Sequence, residues 1–392
     1  MPWEVTCVMD RRVEFIGDWL KREWSMAELC RSYGVSRKTG YKFVTRCHQH
    51  GVAGLGDHPR APHHHPHEVL PHIQAAILEA RCAHPTWGPR KLLAWLTRHD
   101  PATHWPCAST IGDLLHREGL TVPPRRSHRT PPYSQPFAHC GAPNAVWCTD
   151  FKGWFRTGDG KPCYPFTLSD AYSRFLLRCQ ALARSDDRAV RPLFEAAFRE
   201  YGMPAAIRTD NGPPFTSTGL GGLSRLSVWW VKLGIMPERI ATGHPEQNGR
   251  HERLHRTLKE EATVPPQATR RAQQRAFDGF RHTYNHERPH EALGYAVPAS
   301  YYMMPSGRAY PRRLAPMEYP DEVEVRHVRH NGEIRWQGEL IYVSEVLAGA
   351  FVGLAPLDDR FRRLCFGPLE LARLDCHNNQ LIIPKPARKP KP

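Results

Sequence analysis

Three acidic residues in distinct local settings are the first candidates for chemistry in this chain. Asp150 ends the run Val146-Trp147-Cys148-Thr149-Asp150, and Asp210 stands in Arg208-Thr209-Asp210-Asn211-Gly212. Glu252 follows Gln247-Asn248-Gly249-Arg250-His251. Carboxylates are the hard oxygen ligands that Mg²⁺ and Mn²⁺ require. Two aspartates at strand ends and a glutamate on a following helix can gather two such ions. A pair of ions clamps the attacking and leaving oxygens of an in-line phosphoryl displacement. The expectation is therefore that Asp150, Asp210 and Glu252 are both the metal ligands and the catalytic residues, with Mg²⁺ as the cofactor and Mn²⁺ as a substitute.

Rivals exist for two of the three. Asp150 shares a strand face with Val146 and Cys148 by the period of two. An acid among small or apolar residues costs free energy unless a partner or a cation offsets it. Asp170, in Leu168-Ser169-Asp170-Ala171-Tyr172-Ser173-Arg174, competes for the role, but it falls in a turn, where aspartate bonds its own backbone. Asp150 is preferred. Gly212 lets the chain turn sharply after Asp210, leaving that carboxylate at the strand's carboxyl end, where ligands of α/β sheets gather. For the third acid, Asp210 to Glu252 is a difference of 42 with 41 residues between, and Asp210 to Glu246 a difference of 36 with 35 between. Glu246 precedes Gly249 and belongs to a loop or a helix start. Glu252 lies inside the helix, with Arg256 one turn and Lys259 two turns further on the same face. A carboxylate for metal beside two cations for DNA is a coherent surface, so Glu252 is preferred.

The remaining composition fits a polyanionic partner. Lys and Arg number 54 against 39 Asp and Glu, a formal charge of +15, and neutralised phosphates release counterions. No run approaches the roughly eighteen apolar residues of a membrane-spanning helix, and the first residues lack a signal-peptide pattern. The expected place is the cytoplasm, at the nucleoid of a prokaryote, with no membrane partner. Eleven cysteines are scattered without a Cys-x-x-Cys pair, which argues for reduced thiols rather than a zinc knuckle. The cluster His63-His64-His65-Pro66-His67 falls in a proline-broken stretch and reads as linker.

Three proline-rich, mostly basic stretches, 56–67, 122–141 and about 301–320, divide the chain into four units. Residues 1–55 have helix-turn-helix form. Ser25-Met26-Ala27-Glu28 is a capping box, Gly34 ends the first helix, and Ser36 caps a second that carries Arg37, Lys38 and Lys42 toward DNA. Residues 68–121 form a second helical unit around Leu92, Leu93, Trp95, Ile111, Leu114 and Leu115, whose contact with DNA is left open. Residues 142–300 read as three strands, helix, strand, helix, strand, helix, the order of an RNase H-like α/β core. Residues 321–383 are β-rich, with Asn331-Gly332 as the hairpin signal between Val323–Arg329 and Glu333–Trp336, and fit a small SH3-like barrel. Residues 384–392 are a basic tail. The fold class is thus a multidomain α+β chain.

The motifs Thr149-Asp150-Phe151, Arg208-Thr209-Asp210-Asn211-Gly212 and His244-Pro245-Glu246-Gln247-Asn248-Gly249-Arg250-His251-Glu252-Arg253-Leu254-His255-Arg256-Thr257-Leu258-Lys259 together resemble those of DDE transposases. More narrowly, they are similar to insertion-sequence transposases with a retroviral-integrase-like core. The segment Tyr284-Asn285-His286-Glu287-Arg288-Pro289-His290-Glu291-Ala292-Leu293-Gly294 matches that family's usual close, and the likeness covers nearly the whole chain. In the family's pattern two residues separate Asn-Gly from the glutamate, which points to Glu252. The gap of 41 is longer than in integrases, with the extra residues expected around Gly219–Leu226. The integrase zinc domain is also missing, replaced here by helix-turn-helix units. The resemblance implies hydrolysis of a phosphodiester at each element end and attack of the freed 3′-hydroxyl on target DNA. It also implies no covalent protein intermediate, no ATP, and a homo-oligomer assembled on double-stranded DNA. A DNA-binding regulator with an inactive core, and an RNase H-like nuclease that cuts without joining, are the alternatives.

Overall fold

The computed structural model describes residues 7–57, 68–121, 140–240, 249–302 and 306–383. The expected linker histidines, most of the 122–141 stretch, Glu246 and the basic tail lie outside the described residues. Contacts divide the chain at Val69/Leu70 into two units.

The first unit holds α1 (Val8–Lys21), α2 (Met26–Ser32) and α3 (Arg37–His50). Its local signals act as the residue types require. Ser25 accepts from Glu28 N while the Glu28 carboxylate accepts from Ser25 N, and Ser36 accepts from Thr39 N. Gly34 takes φ +65° at the turn, a conformation other residues adopt at a cost. Gly40 serves the crossing of the helices, since a Cβ there would lie 2.5 Å from Cys30 Sγ. Phe15, Ile16, Leu29, Cys30, Phe43, Val44 and Leu55 close the core.

The second unit begins with α4 (Pro71–Ala83), α5 (Pro89–His99) and α6 (Ala108–Arg117), packed around Ile77, Trp87, Leu92, Leu96, Ile111, Leu114 and Leu115. These helices are tied to the mixed-sheet region that follows. Thr86 and Arg288 both bond Glu261, and Arg98 Nη2 donates to Glu287 O at 2.7 Å.

The mixed-sheet region contains β1 (Val146–Phe151), β2 (Phe155–Arg156), β3 (Pro162–Asp170), β4 (Leu176–Leu182), α7 (Asp187–Tyr201), β5 (Ala206–Thr209), α8 (Arg225–Lys232), β6 (Met236–Arg239), α9 (Gly249–Leu258) and α10 (Arg270–His286). The sheet runs β2-β3-β1-β5-β6 with β4 also on β3, so it is mixed: β3 is antiparallel to β1, whereas β5 and β6 run parallel to it. β1 ends at Phe151, shortly before Gly153, which turns at φ +87°. Asp186 caps α7 by accepting from Ala189 N. One sheet face meets α7 and α8 through Trp147, Phe166, Val190, Phe194, Trp229 and Trp230. The other meets α9 and α10 through Cys163, Leu176, Leu254, Leu258, Phe277 and Phe280. Between β5 and α8 the chain makes a 3₁₀ turn at Leu220–Gly222, and Leu220 and Leu223 join the apolar core of the C-terminal region.

That region comprises β7 (Glu324–His327), β8 (Glu333–Trp336), β9 (Glu339–Tyr342), β10 (Phe351–Pro356), β11 (Phe361–Phe366), β12 (Leu369–Asp375) and β13 (Gln380–Ile382). The strands expected to close an SH3-like barrel form an open antiparallel sheet, β13-β12-β11-β10-β7, and a separate β8–β9 hairpin. Asn331-Gly332 does make a tight turn, with Arg329 N bonded to Glu333 O at 2.8 Å, but the expected β7–β8 ladder does not follow it. Gly332 is pressed against the backbone of Ser344 and Glu345, where a Cβ would lie at 2.8 Å. The hairpin turn is instead Gln337-Gly338, whose φ values of +45° and +89° suit the right-handed twist of the flanking strands.

Candidate active site

The central strands place the two aspartates near the carboxyl ends of neighbouring elements. Parallel β1 and β5 pair Val146 with Ala206, Trp147 with Ile207 and Cys148 with Arg208. Asp150 is the next-to-last residue of β1, and Asp210 directly follows the last residue of β5. By the period of two Asp150 shares the face that carries Val146 and Cys148. Helix α9 lies over that face, where His251 and Leu254 line one small cavity with Cys148.

Each aspartate is held by backbone amides. Phe151 N donates to Asp150 Oδ1 at 2.7 Å, and Gly212 N donates to Asp210 Oδ1 at 3.2 Å. Burial raises the pKa of Asp210, opposed by the Gly212 bond. A desolvated carboxylate of this kind is stabilised by a cation. Asp170 is differently placed: its oxygens accept from Asn144 N at 2.8 Å, Ser173 N at 2.7 Å and Ser173 Oγ at 2.6 Å, closing the turn after β3.

Glu252, Arg256 and Lys259 are all exposed. A π turn over Lys259–Thr263 follows α9. Among the described residues no group of three His, Cys, Asp or Glu side chains is placed to hold a metal. Glu252 is thus not gathered with the two aspartates here, and residues 241–248, which lead into its helix, lie outside the described residues.

Sequence reasoning missed the inner face of α9. His251 and His255, both buried, point Nε2 at one hydroxyl, Thr167 Oγ1, at 2.7 and 2.8 Å. The same Oγ1 donates to Asp150 O at 3.2 Å, and Thr167 is the residue across the ladder from Asp150. A hydroxyl has one proton and accepts two. All three contacts are satisfied together when Oγ1–H goes to the carbonyl and both imidazoles donate Nε2–H. Burial pushes His251 down to about 4, and burial, then His251 and Lys152, push His255 down to about 2. The 3.8 Å approach of His255 Nδ1 to Asp150 Oδ2 is therefore a neutral contact, not an ion pair. The i, i+4 spacing of these histidines, in step with Leu254 and Leu258, was the available signal.

In the first unit, Arg37, Lys38 and Lys42 are exposed on α3, opposite buried Gly40, Phe43 and Val44. Tyr41, not singled out from the sequence, is 57% exposed on the same side.

Two family models described as integrase core domain match residues 141–245 and 233–298. Residues 141–298 are an integrase core domain. A helix-turn-helix domain model matches residues 11–63, and a homeodomain-like model matches residues 39–115. The chain is 29% identical over 263 residues to the uncharacterized 31.7 kDa protein of insertion element IS407 from Burkholderia multivorans, covering 65% of this chain and 88% of that protein. It is 25% identical over 300 residues to the transposase InsD for insertion element IS2-9 of Escherichia coli K12, covering 72% and 93%. Among solved structures it is similar to the HTLV-2 integrase catalytic core domain in complex with magnesium, at 17% identity and a TM-score of 0.33, covering 41% of this chain and 98% of that one. It is also similar to the simian T-cell lymphotropic virus intasome, at 14% identity and a TM-score of 0.36, covering 78% and 95%. Among the described residues outside and inside the integrase core, no helix is long and apolar enough to cross a membrane.

Proposed function

We propose that this chain is the DNA transposase of an insertion sequence, cutting phosphodiesters at element ends and joining the freed 3′-hydroxyls to target DNA. The observation that carries the reading is the parallel pairing of β1 and β5 within the matched integrase core, with Asp150 near the end of β1 and Asp210 directly after β5. The matches to insertion-element proteins support it. The core is read as RNase H-like, because three antiparallel strands are followed by two parallel to the first.

Asp150, Asp210 and Glu252 would hold Mg²⁺, with Mn²⁺ as a substitute, since an all-carboxylate set suits hard cations. When bound, two such ions would supply charge neutralisation at the attacking and leaving oxygens. The protein's own part is positioning. Phe151 N and Gly212 N orient the two aspartates, and Thr167 fixes the backbone of Asp150 against α9. Glu252, on the exposed side of that helix, would be the third ligand. Arg256 and Lys259 lie on the same exposed side, suited to DNA phosphates, and α3 offers Arg37, Lys38 and Lys42 for the element end. A homo-oligomer on DNA is part of the reading, because both element ends must be processed together.

Strand transfer with candidate end sequences tests the proposal. Asp150→Asn and Asp210→Asn, near in shape but lacking the charge, should each abolish cutting and joining while end binding stays near wild type. Wild-type joining by either variant refutes the site.

A further inference from the structure

Next to the catalytic face is a cavity of about 430 Å³ lined by Cys140, Tyr172, Arg174, Arg250, Leu293 and Tyr301. Arg174 is unusual within it. Its backbone holds φ +66°, with Arg174 N bonded to Asp170 O at 3.0 Å to close the turn. That left-handed conformation is uncommon for a residue with a long side chain and clusters at functional sites. Its Nη1 is shut off from solvent and has no hydrogen-bond partner among the described residues. The ionisable groups acting on it most strongly are Tyr284, Cys148, Arg253 and Cys140, with no carboxylate among them. Asp170, four residues back, has its carboxylate engaged by Ser173 and Asn144.

Arg250 enters the same cavity from the first turn of α9, two residues before Glu252, and donates to Ala171 O at 2.9 Å. Arg250 and Arg174 both line this one cavity. Two cations are thus built into one recess and repel each other. Leaving the buried Arg174 Nη1 without an acceptor costs free energy that an anion bound by this guanidinium would offset. Guanidinium forks match tetrahedral oxyanions through paired N–H donors. The phenols of Tyr172 and Tyr301 stand at the same wall, with their ring centroids 6.5 Å apart.

We propose that this recess is a phosphate site that takes one backbone phosphodiester of the DNA strand, gripped by Arg174 and Arg250. The proposal rests on the transposase reading for its ligand. A phosphate here ties the strand to the turn of α9 that precedes Glu252, so DNA binding and placement of that helix are coupled.

The test uses the full chain and random-sequence duplex DNA, followed by fluorescence anisotropy over a range of KCl concentrations. Arg174→Gln should weaken binding about tenfold and flatten the log–log salt slope by about 0.9, the loss of one phosphate contact. Ala292→Glu, which puts an acid at the exposed mouth of the recess without touching the buried turn, should do the same. Inorganic phosphate should raise the melting temperature of the wild type and not of Arg174→Gln. Wild-type affinity and slope in both variants overturn the proposal and leave the arginines structural. A phosphate effect on melting with no change in the DNA slope also overturns it, because the site would then take free phosphate only. Failure of the wild type to bind or join DNA at all counts against the transposase reading instead.

Discussion

Replacing Thr167 with valine removes one oxygen from the centre of the site and nothing else of comparable size. Thr167 is fully buried, and its Oγ1 meets His251 Nε2 at 2.7 Å, His255 Nε2 at 2.8 Å and Asp150 O at 3.2 Å. Valine nearly matches the shape, so little cavity forms. It leaves two buried imidazole donors and one carbonyl with a partner missing. A buried polar group left unsatisfied costs about 1–3 kcal/mol, so the two imidazoles alone predict a loss of about 2–6 kcal/mol. That is a large part of the roughly 5–15 kcal/mol that stabilises a typical domain. Thr167→Ser keeps the hydroxyl and loses one methyl group, worth about 1 kcal/mol. The expected order of stability is wild type, then serine, then valine, measured by urea unfolding followed through tryptophan fluorescence. Packing alone gives the reverse order of the two variants. Joining should fall about 100-fold in the valine variant, as expected for a catalytic group displaced by about 1 Å. A valine variant within about 0.5 kcal/mol of wild type, with serine the weaker, refutes the argument that this hydroxyl holds Asp150 and α9 together.

Two further outcomes are expected. Glu252→Gln should lose joining by orders of magnitude, whereas Glu246→Gln should stay within about tenfold, a barrier change of roughly 1.4 kcal/mol; parallel Mg²⁺ assays with the opposite ranking would reassign the third ligand. Stability should also fall on acidification below pH 6.5, because burial holds His251 near 4, His255 near 2 and His290 near 3. These depressed values mean that the unfolded chain binds more protons as pH drops from about 6.5 toward 4. The stabilisation is then complete above 6.5 and is lost at up to about 1.4 kcal/mol per pH unit for each histidine. Asp170 and Asp210, raised by burial, act in the opposite sense at lower pH. Urea midpoints that stay level from pH 7 to pH 5 would show that these imidazoles are not buried neutral.

What the sequence determined by itself is local. The capping residues Ser25, Ser36 and Asp186 bond amides three residues away, so each helix start is written within one turn of chain. The period of two put Asp150 on the face of Val146 and Cys148, and the period of 3.6 put Glu252, Arg256 and Lys259 together on the exposed side of α9. The tertiary structure decided the rest, because each remaining feature depends on which distant segments become neighbours. The strand that bears Asp150 neighbours the strand that leads to Asp210 only because β1 pairs with β5 in parallel, a choice made by the sheet and not by either strand. Thr167 joins Asp150 to the two histidines across 84 and 88 residues of sequence, and no periodicity in β3 announces it. The Asn331-Gly332 turn formed as its residues demand, yet the close backbone of Ser344 and Glu345 and the pairing of β7 with β10 kept it from becoming the expected hairpin. Turn chemistry acts over four residues, while the partner of a strand is set by burial of its apolar face against the whole fold.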